Sequence, residues 1–315
     1  MSTKFAGIHH VTAIADDPQK NVDFYSGVLG LRLVKKTVNF DDPGSYHLYY
    51  GDAAGKPGTI MTFFSWPGAR RGRTGTEQVS STSFTVPEDS LGYWAERFVK
   101  HNVRFEQPKK RFGETVLGFE DPNGLTIELV ARPDRAGGEA PEGPVPAEHA
   151  IRGISGVTLS ERSGEATADM LANLLGFEKV AEEDGRTRYL TTRSGGSFAD
   201  VLVRPDGPAG RVSVGTVHHV AWRAPDDETQ EEWREKLLYH GFHVTPVLDR
   251  RYFHSIYFRE PGGVLFEIAT DPPGFTVDEA KEHLGENLKL PPWLEKDREH
   301  IEQILPPIHL PQQKG

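Results

Sequence analysis

FYSGVLGLRLVKKT (residues 24–37) and MLANLLGFEKVAEE (170–183) share an apolar helical pattern that stops at Leu-Gly and resumes as a strand. The glycine stands where a helix C-terminus takes a left-handed residue. RFVKHNVRFEQP (97–108) and KLLYHGFHVTPV (236–247) form a second matched pair: helix, His, then Asn or Gly, then strand. Each quarter closes in a hairpin, most clearly at GFEDPNGLTIEL (118–129) and YFREPGGVLFEI (257–268), where Pro and Gly supply the turn. Repetition of this kind constrains a fold strongly, because each copy must adopt the same supersecondary unit and bury its apolar face against another. The unit is β-α-β-β-β, expected over 5–66, 78–132, 151–205 and 215–270, which makes the fold class α+β. The Pro-, Gly- and charge-rich stretch at 133–150 reads as a linker between an N-terminal domain (1–132) and a C-terminal domain (151–270), each of two units. A tail, 271–315, follows, with a helical stretch at 293–305.

On this frame lie two His-His pairs, GIHHVTAIAD (7–16) and TVHHVAWRAP (216–225), each on the first strand of a unit. Alternation along a strand turns one histidine of each pair inward and the other outward or behind it. A single pair reads more readily as hydrogen-bonded core histidine, so the recurrence is the informative part. His101, His240 and His243 fall at helix ends and after them, where capping or exposure is expected.

Bulk properties narrow the function classes. No apolar run approaches the roughly 20 residues of a membrane span, and the start MSTKFAGIHH lacks the apolar segment of a secretory signal. With no cysteine there are neither disulfides nor thiolate ligands, and a cytoplasmic protein is expected. A net charge of -10 argues against a nucleic-acid partner, which needs clustered Lys and Arg. The basic stretch ARRGRTG (69–75) reads as a solvated loop. The sequence leaves the oligomeric state open, a homo-oligomer included.

Four β-α-β-β-β units with His on first strands and Glu on last strands resemble the vicinal oxygen chelate superfamily over nearly the whole chain. The resemblance implies two domains with cup-shaped mixed sheets, in which two units curl around one metal and each offers a ligand from its first and its last strand. Aligned on the strands, the first-strand positions are His10, Ser81, Gly156 and His219, and the last-strand positions Thr62, Glu128, Asp200 and Glu267. Pairing unit one with unit four collects His10, His219 and Glu267, with Thr62 in the fourth place. Two imidazoles, a carboxylate and open positions match the facial triad of non-haem Fe(II) oxygenases. Units two and three are left without an imidazole, and Glu128 then requires an Arg or Lys partner, because an unpaired buried carboxylate is costly.

IYFREPGGVLFE (256–267) resembles the extradiol ring-cleaving dioxygenase signature: hydrophobe, Tyr, two residues, an acidic or small residue, Pro, one residue, Gly, then Glu. The departure lies upstream, where catechol-cleaving members carry a histidine and this chain has Asp249, Arg250 and Arg251. The chain is more similar to hydroquinone 1,2-dioxygenases and bacterial quinone-resistance dioxygenases, which share YHLYYGD (46–52), KPGTIMT (56–62), RFG (111–113) and the RRYFHSIYFREPGG style of hairpin. That resemblance implies Fe(II), with Mn(II) as the alternative ion, on His10, His219 and Glu267. It implies His9, Thr12, His218, Arg250 and Tyr257 around them, with a small aromatic substrate and O2 as partners. Tyr257 or Arg250 would hydrogen-bond the bound phenolate, and His218 or His9 would carry a proton. Other readings stay open at this point: an extradiol catechol dioxygenase, a glyoxalase-type lyase or isomerase, a thiol transferase, and a metal-free binding module.

Overall fold

The computed structural model describes residues 5–133, 138–192 and 197–310. Unit one contains β1 (Ile8–Ala15), α1 (Pro18–Val22), β2 (Arg32–Asn39), β3 (Asp42–Gly51) and β4 (Ile60–Ser65). Unit two contains β5 (Gln78–Pro87), α2 (Leu91–Lys100), β6 (Lys109–Arg111), β7 (Glu114–Glu120) and β8 (Thr126–Arg132). Unit three contains β9 (Gly153–Glu161), α3 (Glu165–Asp169), β10 (Glu178–Glu183), β11 (Arg186–Leu190) and β12 (Phe198–Val203). Unit four contains β13 (Val217–Ala224), α4 (Asp227–Tyr239), β14 (Leu248–Asp249), β15 (Phe253–Arg259) and β16 (Leu265–Pro273), and α5 (Arg298–Ile304) lies in the tail.

The matched helices of units one and three share a feature that the apolar pattern does not show. After α1 and α3 the chain widens into π-helical turns, Asp23–Val28 and Met170–Leu174, closed by Leu29 N–H to Phe24 O and Leu175 N–H to Met170 O. Gly30 (φ 70°) and Gly176 (φ 73°) then reverse the chain into the next strand, the left-handed role expected of them.

The strands form two curled eight-stranded mixed sheets, ordered β14-β15-β16-β13-β1-β4-β3-β2 and β10-β11-β12-β9-β5-β8-β7-β6. Each sheet therefore takes one unit from either side of 133–150: one with four, two with three. The joint of the first sheet is antiparallel β1–β13, with His10 opposite Ala221 and Thr12 opposite His219. The joint of the second is β5–β9.

Every residue of β1 is buried, because one face looks into the cup and the other is covered by helices. On the covered side Trp233 of α4 stacks on Phe5 at 4.3 Å, and Phe98 of α2 packs on Phe119 at 4.5 Å. The stretch 69–75 is more tied down than a solvated loop: it runs beside the segment before β13, with bridges Arg71–Val214 and Arg73–Arg211, although both arginines stay exposed. His101, His240 and His243 are exposed, the first two capping the C-termini of α2 and α4. No helix among the described residues is long and apolar enough to cross a membrane.

The tail closes one end of the first cup. Fully buried Lys35 of β2 donates to Asp278 at 2.6 Å and to Glu279 at 2.5 Å, Phe275 packs on Tyr49 at 5.2 Å, and Tyr46 donates to the Pro306 carbonyl.

Candidate metal centre

Each His-His pair sits on a β-bulge. Between Ile8 and His10 the first strand advances two residues while β13 advances one. Between His219 and Val217 the excess lies on β13. His9 and His218 are thus the extra residues, and the bulge lets two consecutive imidazoles meet instead of pointing to opposite faces. His9 Nδ1 lies 2.9 Å from His10 Nδ1, and His218 Nδ1 lies 2.8 Å from His219 Nδ1.

These contacts fix tautomers. Burial, followed by His10, holds His9 well below the usual imidazole range, so His9 is neutral, and its one N–H goes to the Thr270 carbonyl. His9 Nδ1 is then an acceptor, His10 Nδ1 carries the proton, and His10 Nε2 presents a lone pair. His218, pushed down to about 3 by burial and then by His219, faces its neighbour through Nδ1 in the same geometry.

In front of these pairs three donor atoms converge. His10 Nε2 is 3.3 Å from His219 Nε2 and 3.3 Å from Glu267 Oε2, and His219 Nε2 is 2.9 Å from Glu267 Oε2. All three residues are buried. Bonds of about 2.1 Å to one ion, meeting near right angles, put neighbouring donors about 3.0 Å apart, so the triangle fits a single metal. Glu267 supports the same reading. Ser255 donates to its Oε1 at 2.5 Å, whereas Oε2 is buried with no hydrogen-bond partner in line among the described residues. Burial alone would raise the Glu267 carboxyl, but His10 and His219 pull it well below the usual range. Two imidazoles and a carboxylate suit Fe(II), and Mn(II) accepts the same donors.

A narrow cleft opens on the triad, lined by His10, His219, Arg250, Tyr257, His47 and Tyr49 together with aromatic rings. Arg250 Nε donates to the Tyr257 hydroxyl at 3.3 Å, and its Nη1 reaches Asp41 at 3.1 Å. Burial, then Glu267, raises the Tyr257 phenol above its ordinary value, against the pull of Arg250. Thr12 does not line the cleft. It stands behind, its Oγ1 2.9 Å from Thr62 Oγ1. His9 and His218 also stand behind the ligands rather than in the cleft, so the proton-carrying role read from sequence has no contact with the space a substrate would fill, and positioning His10 and His219 is what their contacts support.

His47 and Tyr49 are absent from the sequence reading. His47 Nε2 lies 2.7 Å from Thr62 Oγ1, and Tyr49 Oη lies 2.9 Å from His47 Nδ1. Their signal was YHLYYGD, where alternation puts both on one face of β3 beside the strand carrying Thr62.

Among the described residues, units two and three assemble the corresponding positions without a metal triad. Arg111 grips Glu128 with two bonds of 2.8 Å, the basic partner expected of that carboxylate. Arg188 grips Asp200 at 2.7 and 2.9 Å.

The chain matches the model of the Glyoxalase/Bleomycin resistance protein/Dioxygenase superfamily over residues 7–129 and 153–268. It is 50% identical over 310 residues to MhqO of Bacillus subtilis (strain 168), named as a ring-cleaving dioxygenase, covering 98% of this chain and 99% of that one. It is 34% identical over 305 residues to the chlorohydroquinone/hydroquinone 1,2-dioxygenase of Sphingobium indicum, covering 94% of each. A crystal structure from Bacillus subtilis, described as that of a dioxygenase, superposes with a TM-score of 0.95 at 49% identity, covering 99% of this chain and 100% of that one. Two curled sheets built from four repeated units, together with these matches, establish that the chain belongs to the glyoxalase/bleomycin resistance/dioxygenase superfamily.

Proposed function

We propose that the protein is a non-haem Fe(II)-dependent dioxygenase that opens the ring of substituted hydroquinones with O2. The observation that carries this is the convergence of His10 Nε2, His219 Nε2 and Glu267 Oε2 within 3.3 Å, with Thr62, a hydroxyl rather than a fourth strong ligand, at the remaining last-strand place. When bound there, the ion supplies adjacent open positions for a ring oxygen and O2 and a path for electrons between them. The relatives named as ring-cleaving dioxygenases support the reaction class, and the hydroquinone 1,2-dioxygenase supports the substrate class.

The chain's own residues have defined tasks in this reading. His9 and His218 hold the ligand imidazoles in the tautomer that offers Nε2. Phe40, Phe64 and Phe253 line the cleft, grip the faces of an aromatic ring and exclude water. Arg250 and Tyr257 place a cation and an O–H where a phenolic oxygen gathers negative charge, and stabilise it there. A catechol can chelate through two adjacent oxygens. A hydroquinone binds through one, so its other end must be oriented by the protein.

The test is steady-state oxygen uptake by iron-loaded protein with methylhydroquinone and with the matching methylcatechol, with identification of the ring-opened acid. The expected result is a kcat/KM at least about tenfold higher for the hydroquinone, roughly 1.4 kcal/mol in transition-state binding. Equal or faster cleavage of the catechol overturns the substrate class. No oxygen uptake with either overturns the dioxygenase reading.

A further inference from the structure

The two tyrosines of the cleft are related by the repeat. Tyr257 lies opposite Glu267 across β15–β16, and Tyr49 lies opposite Thr62 across β3–β4. Ser255, two residues before Tyr257, donates to Glu267. His47, two residues before Tyr49, contacts Thr62 in the same way. Tyr257 and Arg250 therefore stand on the side that carries the carboxylate ligand, and Tyr49 on the matching side, where the last-strand place holds only a hydroxyl.

Counting protons decides what Tyr49 does. Thr12, Thr62, His47 and Tyr49 form a chain of three contacts, Oγ1 to Oγ1 at 2.9 Å, Oγ1 to Nε2 at 2.7 Å and Nδ1 to Oη at 2.9 Å. Burial, then His10 and His219, keeps His47 neutral, and burial keeps the Tyr49 phenol protonated. The chain thus holds four protons for three bonds, and one hydroxyl proton is left over. Were Tyr49 to donate to His47, the surplus would fall on the hydroxyl of Thr12 or of Thr62, both fully buried and with no further acceptor among the described residues. With the opposite polarity, Thr12 donates to Thr62, Thr62 to His47 Nε2 and His47 Nδ1 to Tyr49. The Tyr49 O–H is then free in the cleft, where an acceptor can enter. A buried O–H without an acceptor is costly, so the second polarity is favoured.

We propose that Tyr49 donates a hydrogen bond to the substrate oxygen remote from the metal, and that His47, held by Thr62, is the residue that positions it. This rests on the hydroquinone reading and names what recognises the second hydroxyl.

The experiment is anaerobic equilibrium binding of hydroquinone and of phenol, the same ring without the remote oxygen, to the iron-loaded protein, with iron content measured in parallel. The wild type should bind hydroquinone about tenfold more tightly than phenol. Tyr49→Phe should retain iron and phenol affinity and lose that preference, with KM for hydroquinone rising more than kcat falls. His47→Leu should lose the preference, and His47→Gln, which keeps a donor and an acceptor, should restore part of it. The proposal is overturned by a wild type that binds both ligands equally, or by a Tyr49→Phe variant that keeps the preference or weakens both ligands alike. Failure of the dioxygenase reading shows separately, as absence of oxygen uptake by the wild type.

Discussion

The two cups share a backbone and differ in what fills it. The second sheet keeps both bulges of the first: β5 gains a residue between Val79 and Ser81, and β9 between Ile154 and Gly156. Where the first cup carries His9–His10 and His218–His219, the second carries Ser80–Ser81 and Ser155–Gly156. In each cup a serine also donates to the carboxylate, although from a different strand: Ser83 of β5 to Glu128 at 2.8 Å, and Ser255 of β15 to Glu267. A Cβ on Gly156 would lie 2.2 Å from the ring of Phe198, so an aromatic side chain has taken the space of the missing imidazole. The Arg188 guanidinium sits 3.8 Å from the centre of that ring. A buried carboxylate at a last-strand position needs a compensating positive charge. Three donors aimed at one point suit a metal ion in the first cup, and Arg111 and Arg188 supply guanidinium in the second.

The largest effect expected from this contrast is on metal retention. His10→Ala, His219→Ala and Glu267→Ala should each abolish tight iron binding and reduce ring cleavage by about a thousandfold or more, since a facial set of three cannot spare a member. Glu128→Gln and Asp200→Asn should leave iron content unchanged. Iron per chain after desalting measures both, and a site emptied by Glu128→Gln but not by Glu267→Gln would move the metal to the other cup.

Next in size is the charge balance of the second cup. Burial pushes the Glu128 carboxyl up, and Arg111 more than offsets it. Arg111→Met therefore strands a buried carboxylate and should cost about 3–5 kcal/mol of stability. Adding Glu128→Gln should recover most of this. Urea denaturation monitored by circular dichroism measures it, with iron content as the control. A loss that Glu128→Gln fails to rescue would mean that Arg111 stabilises by packing rather than by charge.

The sequence carried the repeat and hence the strands, because each unit is local and its turn chemistry is written in adjacent residues. It also carried His10, His219 and Glu267, since their types and strand positions recur in register. What it did not show depends on contacts between units. The bulges that explain the doubled histidines appear only when β1 is laid against β13. His47 and Tyr49 matter because β3 lies beside Thr62. Phe198 displaces an imidazole only because β12 runs next to Gly156. The tail's closure of the first cup, through Lys35 and residues more than 200 positions later, has no local trace in the strand pattern.

The smallest effect concerns the seam between the cups. Ala15 ends β1, and in the matching place at the end of β9 stands Glu161, fully buried with neither carboxylate oxygen hydrogen-bonded among the described residues. It faces the hairpin of the other sheet, where a Cβ on Gly262 would come within 2.1 Å of its Oε2. Burial, then the carboxylates of Glu260 and Glu77, raises Glu161 from 4.5 to about 9. Between those pH values the folded protein keeps a proton that the unfolded chain has released, so raising the pH favours unfolding, and the loss is complete above about pH 9. Glu161→Gln removes this term. The variant should match the wild type near pH 4 and gain on it through neutrality, reaching about 2 kcal/mol by pH 9 once solvent screening is allowed for. Thermal unfolding from pH 4 to 9 measures the difference. A gain independent of pH would place the effect in packing, and a loss at high pH would show that the Glu161 carboxylate is compensated by a partner and that the two ends of the seam are alike.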